Sequence, residues 1–244
     1  MDSPFILCLD FDGVICDSAI ECLVSSWIAY FDLLTRQRPA AVDINLKNAF
    51  LSLRPFIRSG EDYVLIQELI DHRVAVRTQE DFDAQIKRVG TRNMELYKRL
   101  FYEAREGLIE RNRDYWLSLN ELYTHMRDPL RDNAGNGKLY IVSTKRSDFI
   151  LEILRANGIP FPSERVLYAG PKGKADLVAE ILRRESIARA FFVDDQIDHL
   201  TGGQEADIVP CLAAWGYVKK EWLQEPRGVC VFYPEEMQEI FKKL

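Results

Sequence analysis

The 244 residues include 32 Lys and Arg against 38 Asp and Glu, a formal charge of −6, and 47% of the chain is hydrophobic. This is the composition of an ordinary globular protein with a sizeable core, divided into one large domain or two modest ones. The acidic balance argues against a nucleic-acid partner or an anionic membrane surface. No apolar stretch approaches membrane-spanning length, and Met1-Asp2-Ser3-Pro4 lacks the basic-then-apolar pattern of a signal peptide. Five cysteines without metal-type CxxC spacing fit a reducing compartment, so a cytoplasmic protein is expected. Cys8, Cys211 and Cys230 fall in apolar runs and are expected to be small core residues.

In chain order, the first buried-strand pattern is Phe5 to Leu9. From Ser18 to about Leu117 the chain changes texture, with apolar residues at three-and-four spacing and no convincing strand, which predicts an all-helical insert. Its first helix presents Ile20, Leu23, Val24, Trp27, Ile28 and Phe31 on one stripe, opened by a capping box of Ser18 and Glu21. Further helices are predicted over Gln79 to Ala104 and Arg113 to Met126, with breaks at Arg36 to Pro39 and Pro55 to Gly60. Five more strand-like runs follow, at Leu139 to Val142, Val166 to Tyr168, Ala190 to Val193, Val209 to Ala213 and Val229 to Phe232. Helices at Phe149 to Asn157, stopped by Gly158 and Pro160, and at Ala175 to Arg184 alternate with them. The predicted fold is α/β, a doubly wound and mainly parallel sheet formed by residues 1–17 and 118–244, with a helical cap of residues 18–117 inserted after the first strand.

In such a sheet the ligand crevice lies at the carboxyl ends of the strands. Three of the six runs end in conspicuous polar groups: Asp10-Phe11-Asp12-Gly13, Ser143-Thr144-Lys145, and Asp194-Asp195; Lys172 and Lys174 follow another. Each alone is unremarkable, since Asp-x-Asp-Gly is most often a turn and an acidic pair most often a solvated strand end. Together they imply either a cation among them or acids that stay protonated, because carboxylates crowded into one crevice repel. Oxygen ligands with few His or Cys nearby favour Mg²⁺ over zinc, held by Asp10, Asp12, Asp194 and Asp195, and Mg²⁺ leaves positions for water and phosphate. A small phosphorylated metabolite is therefore the expected partner. For phosphoryl transfer Asp10 suits the nucleophile and Asp12, two residues on, the general acid and base. Ser143 and a lysine stabilise the phosphoryl oxygens, with Thr144 beside them, and Gly13 lets backbone amides approach the anion.

The segment Asp10-Phe11-Asp12-Gly13-Val14-Ile15-Cys16-Asp17-Ser18, preceded by an apolar strand, resembles the first motif of the haloacid dehalogenase-like superfamily, in its phosphatase branch with a helical cap. Leu139-Tyr140-Ile141-Val142-Ser143 is similar to the second motif, Lys174-Ala175-Asp176-Leu177-Val178 to the third, with Lys172 close by, and Phe191-Phe192-Val193-Asp194-Asp195 to the fourth. Ala214-Trp215-Gly216-Tyr217 is similar to a segment of phosphoglycolate-phosphatase-like members, although Val218 stands where a glycine often follows. The resemblance implies Mg²⁺-dependent hydrolysis of a phosphate monoester through an aspartyl-phosphate. It implies that Asp10 binds the metal by its side chain and Asp12 by its carbonyl, with Asp194 a direct ligand, Asp195 direct or through water, and Asp198 the acid four positions on. Arg54 and Arg58 in the insert are candidates to grip an anionic substrate. The alternatives are a phosphomutase on the same core and a non-catalytic phosphate-binding regulator. His72, His125 and His199 have no nucleophile partner in the sequence and are expected to be surface or satisfied histidines.

Overall fold

The computed structural model describes residues 4–37, 44–201 and 207–244; the signal-peptide reading of residues 1–3 and the Pro39 end of the expected break lie outside them. The chain divides into two compact units, a core made of the residues up to Asp17 together with those from Glu121 onward, and an insert of Ser18–Asn120.

The core is built on β1 (Ile6–Leu9), β2 (Cys16–Asp17), β3 (Glu121–Leu122), β4 (Leu139–Ser143), β5 (Val166–Tyr168), β6 (Ala190–Asp194), β7 (Ile208–Ala213) and β8 (Cys230–Phe232). Six strands form one parallel sheet in the order β5-β4-β1-β6-β7-β8, while β2 and β3 pair antiparallel in a small ribbon. Every residue of β1 and β4 is buried, which is why these strands read as unbroken apolar runs. The strand order reverses direction at β1, which lies between β4 and β6, so the crevice opens where these three central strands end. Register sets what meets there: Leu9 is paired with Ile141 on one side and Val193 on the other, so the chain passes from β1 into Asp10 beside Asp194. Cys8 and Cys211 are buried as expected, but Cys230 is exposed, because β8 is an edge strand.

In the insert the helices are α1 (Ala19–Trp27), running on as a π-helix over Ile28–Leu34, α2 (Ile44–Leu53), α3 (Gly60–Asp71), α4 (Gln79–Val89), α5 (Thr91–Arg111) and α6 (Arg113–Ser118). The core helices are α7 (Thr124–Asn133), α8 (Ser147–Ala156), α9 (Lys174–Glu185), α10 (Ile197–Thr201), α11 (Lys220–Gln224) and α12 (Pro234–Lys243). Two expected helices are each divided. Gly90, at φ +78°, separates α4 from α5, since that backbone conformation ends a helix. Residues 113–126 hold α6, strand β3 and the start of α7, because Glu121 and Leu122 pair with β2 instead of continuing the helix.

The Ser18–Glu21 capping box does not form, as Ser18 makes no side-chain cap bond. Glu21 turns inward, where its carboxylate is fully buried and accepts from Arg105 Nε at 2.8 Å and Nη2 at 2.7 Å, from Ser25 Oγ at 2.7 Å and from Trp116 Nε1 at 3.2 Å. A buried pair of this kind persists because each charge is enclosed by donors or acceptors. Leu23, Trp27, Ile28 and Phe31 are buried as the stripe predicts, while Ile20 and Val24 are half-buried.

At the start of α3 the Asp62 carboxylate accepts from the amides of Arg58 (2.9 Å) and Ser59 (3.2 Å). Burial pushes Asp62 up to about 7 against those two bonds, which pull it down. A raised carboxyl pKa makes the folded state hold a proton that the unfolded chain has released, so this group's contribution to stability falls as pH rises through the window from about 4 to 7. Wild-type stability is expected to decline there, relative to Asp62→Asn, by on the order of 1 kcal/mol per pH unit, and urea titrations of both proteins from pH 5 to 8 measure the difference.

Candidate active site

Asp10, Asp194 and Asp195 are all buried, and among the described residues they form a group whose carboxylate oxygens lie within 4.8 Å of one another. Lys174, the first residue of α9, reaches between two of them, with Nζ 2.8 Å from Asp10 Oδ2 and 2.7 Å from Asp194 Oδ2. Lys172, the nearby alternative, is an exposed partner of Glu180. The α9 helix packs on β4 and β6, with Val178, Ile181 and Leu182 buried beneath it, and this docking delivers the lysine to the strand ends.

The charges are unequally placed. Asp194 is held by Lys174, by the amide of Gln196 at 2.9 Å from Oδ1, and by His199, whose Nδ1 lies 3.2 Å from Oδ2. Burial works to raise its pKa, but Lys174 and His199 outweigh it and hold the carboxyl below the ordinary range. Burial pushes Asp10 up; Lys174 offsets part of this and the neighbouring Asp194 adds to it. Burial alone would lower Lys174, yet the two aspartates hold it above the usual lysine value, so it remains an ammonium. Asp10 Oδ1 is buried with no hydrogen-bonding partner among the described residues, an uncommon situation for a carboxylate oxygen. An oxygen-only donor set with one unsatisfied buried oxygen fits a hard divalent cation, which would also favour ionised Asp10.

Asp12 lies outside the three-acid group by its carboxylate, which accepts instead from Lys145 Nζ at 3.0 Å. Ser143 is buried at the end of β4, and its Oγ accepts the Lys145 amide at 3.2 Å, a bond that leaves the hydroxyl proton unused. Thr144 follows, half-buried. Gly13 sits in a tight turn at φ +88°, and its own amide donates to Cys16 O at 2.8 Å, so it does not present that N–H to an anion. The need for glycine comes from the close approach of Asp195: a Cβ at residue 13 would stand 2.0 Å from Asp195 Oδ2. Asp198 is half-buried on α10, and its backbone amide faces Gln196 Oε1 at 3.4 Å.

Arg54 and Arg58 belong to the insert. Arg54 is buried with its guanidinium 5.3 Å from the Tyr63 ring, and Arg58 forks the Asp83 carboxylate at 2.6 and 3.2 Å. Two residues of the core site were given no role by sequence, Lys145 being named only among the polar groups that end the second run and His199 only as a surface or satisfied histidine. Lys145 is the residue two past Ser143, where the chain turns back toward Asp12. His199 is five past Asp194, and the turn into α10 brings its ring back over the carboxylate.

No family model and no curated protein matches the chain. Solved structures do. A haloacid dehalogenase-like family hydrolase from Streptococcus pneumoniae matches with a TM-score of 0.61 at 16% identity, over 99% of this chain and 100% of that one. Provisionally named phosphoglycolate phosphatases match from Lactobacillus delbrueckii subsp. bulgaricus (TM-score 0.65, 14% identity, 97% of each chain) and from Haemophilus somnus 129PT (0.64, 16%, 98% and 99%). At these identities the likeness is one of fold, and it extends along nearly the whole length of each protein. The chain thus has the fold of the haloacid dehalogenase-like hydrolases, an α/β core sheet with a helical insert after its first strand.

Proposed function

We propose that this protein is a Mg²⁺-dependent phosphohydrolase that cleaves a small phosphate monoester through an aspartyl-phosphate on Asp10. The observation that carries the reading is the convergence of Asp10, Asp194 and Asp195 around Lys174 at the ends of the central strands, with one Asp10 oxygen unsatisfied. Asp10, the Asp194-Asp195 pair and the main-chain carbonyl of Asp12 are the groups that would hold the ion. Mg²⁺ there supplies neutralisation of phosphoryl charge.

Asp10 attacks phosphorus in line, and the ester oxygen leaves with a proton from Asp12. Asp12 then takes a proton from the water that opens the acyl phosphate, so the enzyme returns to its starting state. The Ser143 hydroxyl and the Lys174 ammonium donate to the phosphoryl oxygens, where charge is highest in the transition state. Lys145 holds the Asp12 carboxylate toward the site. Its replacement, Lys145→Met, is expected to lower turnover by about 10- to 100-fold through misplacement of the proton carrier, as steady-state kinetics would register.

The test is release of phosphate from p-nitrophenyl phosphate and a panel of phosphorylated metabolites. Turnover with Mg²⁺ that chelation abolishes supports the reading. Inactivity on every ester with Mg²⁺ present would point instead to a phosphate-binding protein without turnover.

A further inference from the structure

Immediately after β7 the core places Trp215, Gly216 and Tyr217 against the acidic site, and each of the three makes a different tie. Tyr217 donates its backbone amide to Asp195 Oδ2 at 3.0 Å and its hydroxyl to Asp17 Oδ1 at 2.6 Å. Trp215 donates Nε1 to the carbonyl of Val14 at 3.0 Å, and its ring packs edge-on to His125 at 4.7 Å. Gly216 closes a turn by donating to Ala213 O at 3.0 Å. A Cβ on Gly216 would stand 2.4 Å from Asp195 Cβ and 2.5 Å from Gly13 O, so only glycine allows this backbone to touch both. The segment thus grips two points of the stretch Gly13–Asp17 and one oxygen of Asp195, joining parts of the chain about 200 residues apart in sequence.

We propose that Trp215-Gly216-Tyr217 is a positioning element that locks Asp195 and the turn after Asp10 into one register, and thereby sets the affinity of the site for its divalent ion. The proposal rests on the metal-dependent reading above. A carboxylate that accepts one fixed amide bond has its remaining oxygen oriented in advance, whereas a rotating carboxylate must be ordered at each binding event. Loss of such outer supports from a metal site typically lowers affinity by about 10- to 100-fold. A turn that only connected β7 to α11 would affect stability and leave ion affinity unchanged.

The test is calorimetric titration of Mg²⁺ into the metal-free full-length protein, its Gly216→Ala variant and its Trp215→Phe variant, with melting of each metal-free protein recorded alongside. Gly216→Ala is expected to bind Mg²⁺ about tenfold or more weakly while remaining folded, since the added methyl must displace Asp195. Trp215→Phe, which removes the bond to Val14 and adds no atom, is expected to weaken binding at least about threefold. Gly216→Ala binding Mg²⁺ as tightly as wild type would overturn the proposal; if that variant does not fold, unchanged binding by Trp215→Phe overturns it. Failure of the wild-type protein to bind Mg²⁺ would instead overturn the metal-dependent phosphatase reading.

Discussion

Asp10→Asn is expected to abolish Mg²⁺-supported phosphate release, with a loss of at least about 10⁴-fold in turnover, because on the proposed mechanism it removes the covalent nucleophile and so disables the whole catalytic unit. The amide is nearly the same size and sits where β1 delivers it, beside Asp194. It cannot form the acyl phosphate, and it offers the ion a neutral oxygen in place of Oδ1. Folding should persist, since Lys174 keeps its contact with Asp194. The check is single-turnover phosphate release together with metal-free melting of both proteins. A variant that retains a tenth of wild-type turnover would exclude Asp10 as the nucleophile.

Lys174→Met is expected to be the most damaging change to the fold of the site. It leaves Asp10 and Asp194 buried side by side without the cation that both now contact, and stranding a buried charge in this way costs about 3–5 kcal/mol. The local pH dependence should change, from a raised Asp10 beside a lowered Asp194 to a pair in which both acids are raised. In the wild-type protein Asp194 is held below the ordinary range, so its contribution to stability is present above that range and is lost as pH falls through the folded value. Without Lys174 the two acids raise each other, one keeps a proton in the folded state, and stability falls as pH rises through the carboxylate range. Urea unfolding in chelator at pH 5 and pH 8 measures this: the variant's deficit should be larger at pH 8 and shrink when Mg²⁺ is restored. An equal deficit at both values would contradict the arrangement of charges described here.

What could be read from sequence follows from where each constraint acts. The central strands are buried on both faces, so their apolar runs and the polar residues that end them were visible directly, and β1, β4 and β6 carry Asp10, Ser143 and Asp194 at those ends. The insert was less legible. Gly90 breaks an otherwise continuous helical pattern, and Glu21 sits in the third helical position, where a capping role is the local expectation, although a partner 84 residues away, Arg105, takes its carboxylate. Lys145 and His199 show the same limit at the site. Lys145 was visible in a polar group at a strand end but its partner was not, and nothing beside His199 marks it; a turn after β4 and a short helix after β6 fold them back onto Asp12 and Asp194. Gly216 was legible as part of a family-like segment, but its role appears only with Asp195 and Gly13 in place beside it.

The most direct measurement is a crystal structure of the protein grown with Mn²⁺ as a substitute for Mg²⁺, with the ion located by its anomalous signal. One peak is predicted at the strand ends, with an Asp10 carboxylate oxygen and at least one oxygen of the Asp194-Asp195 pair about 2.0–2.2 Å away, near the coordination distance of a small hard cation. Saturating Mn²⁺ with no peak beside Asp10, or a peak bound only elsewhere on the protein, would contradict the account.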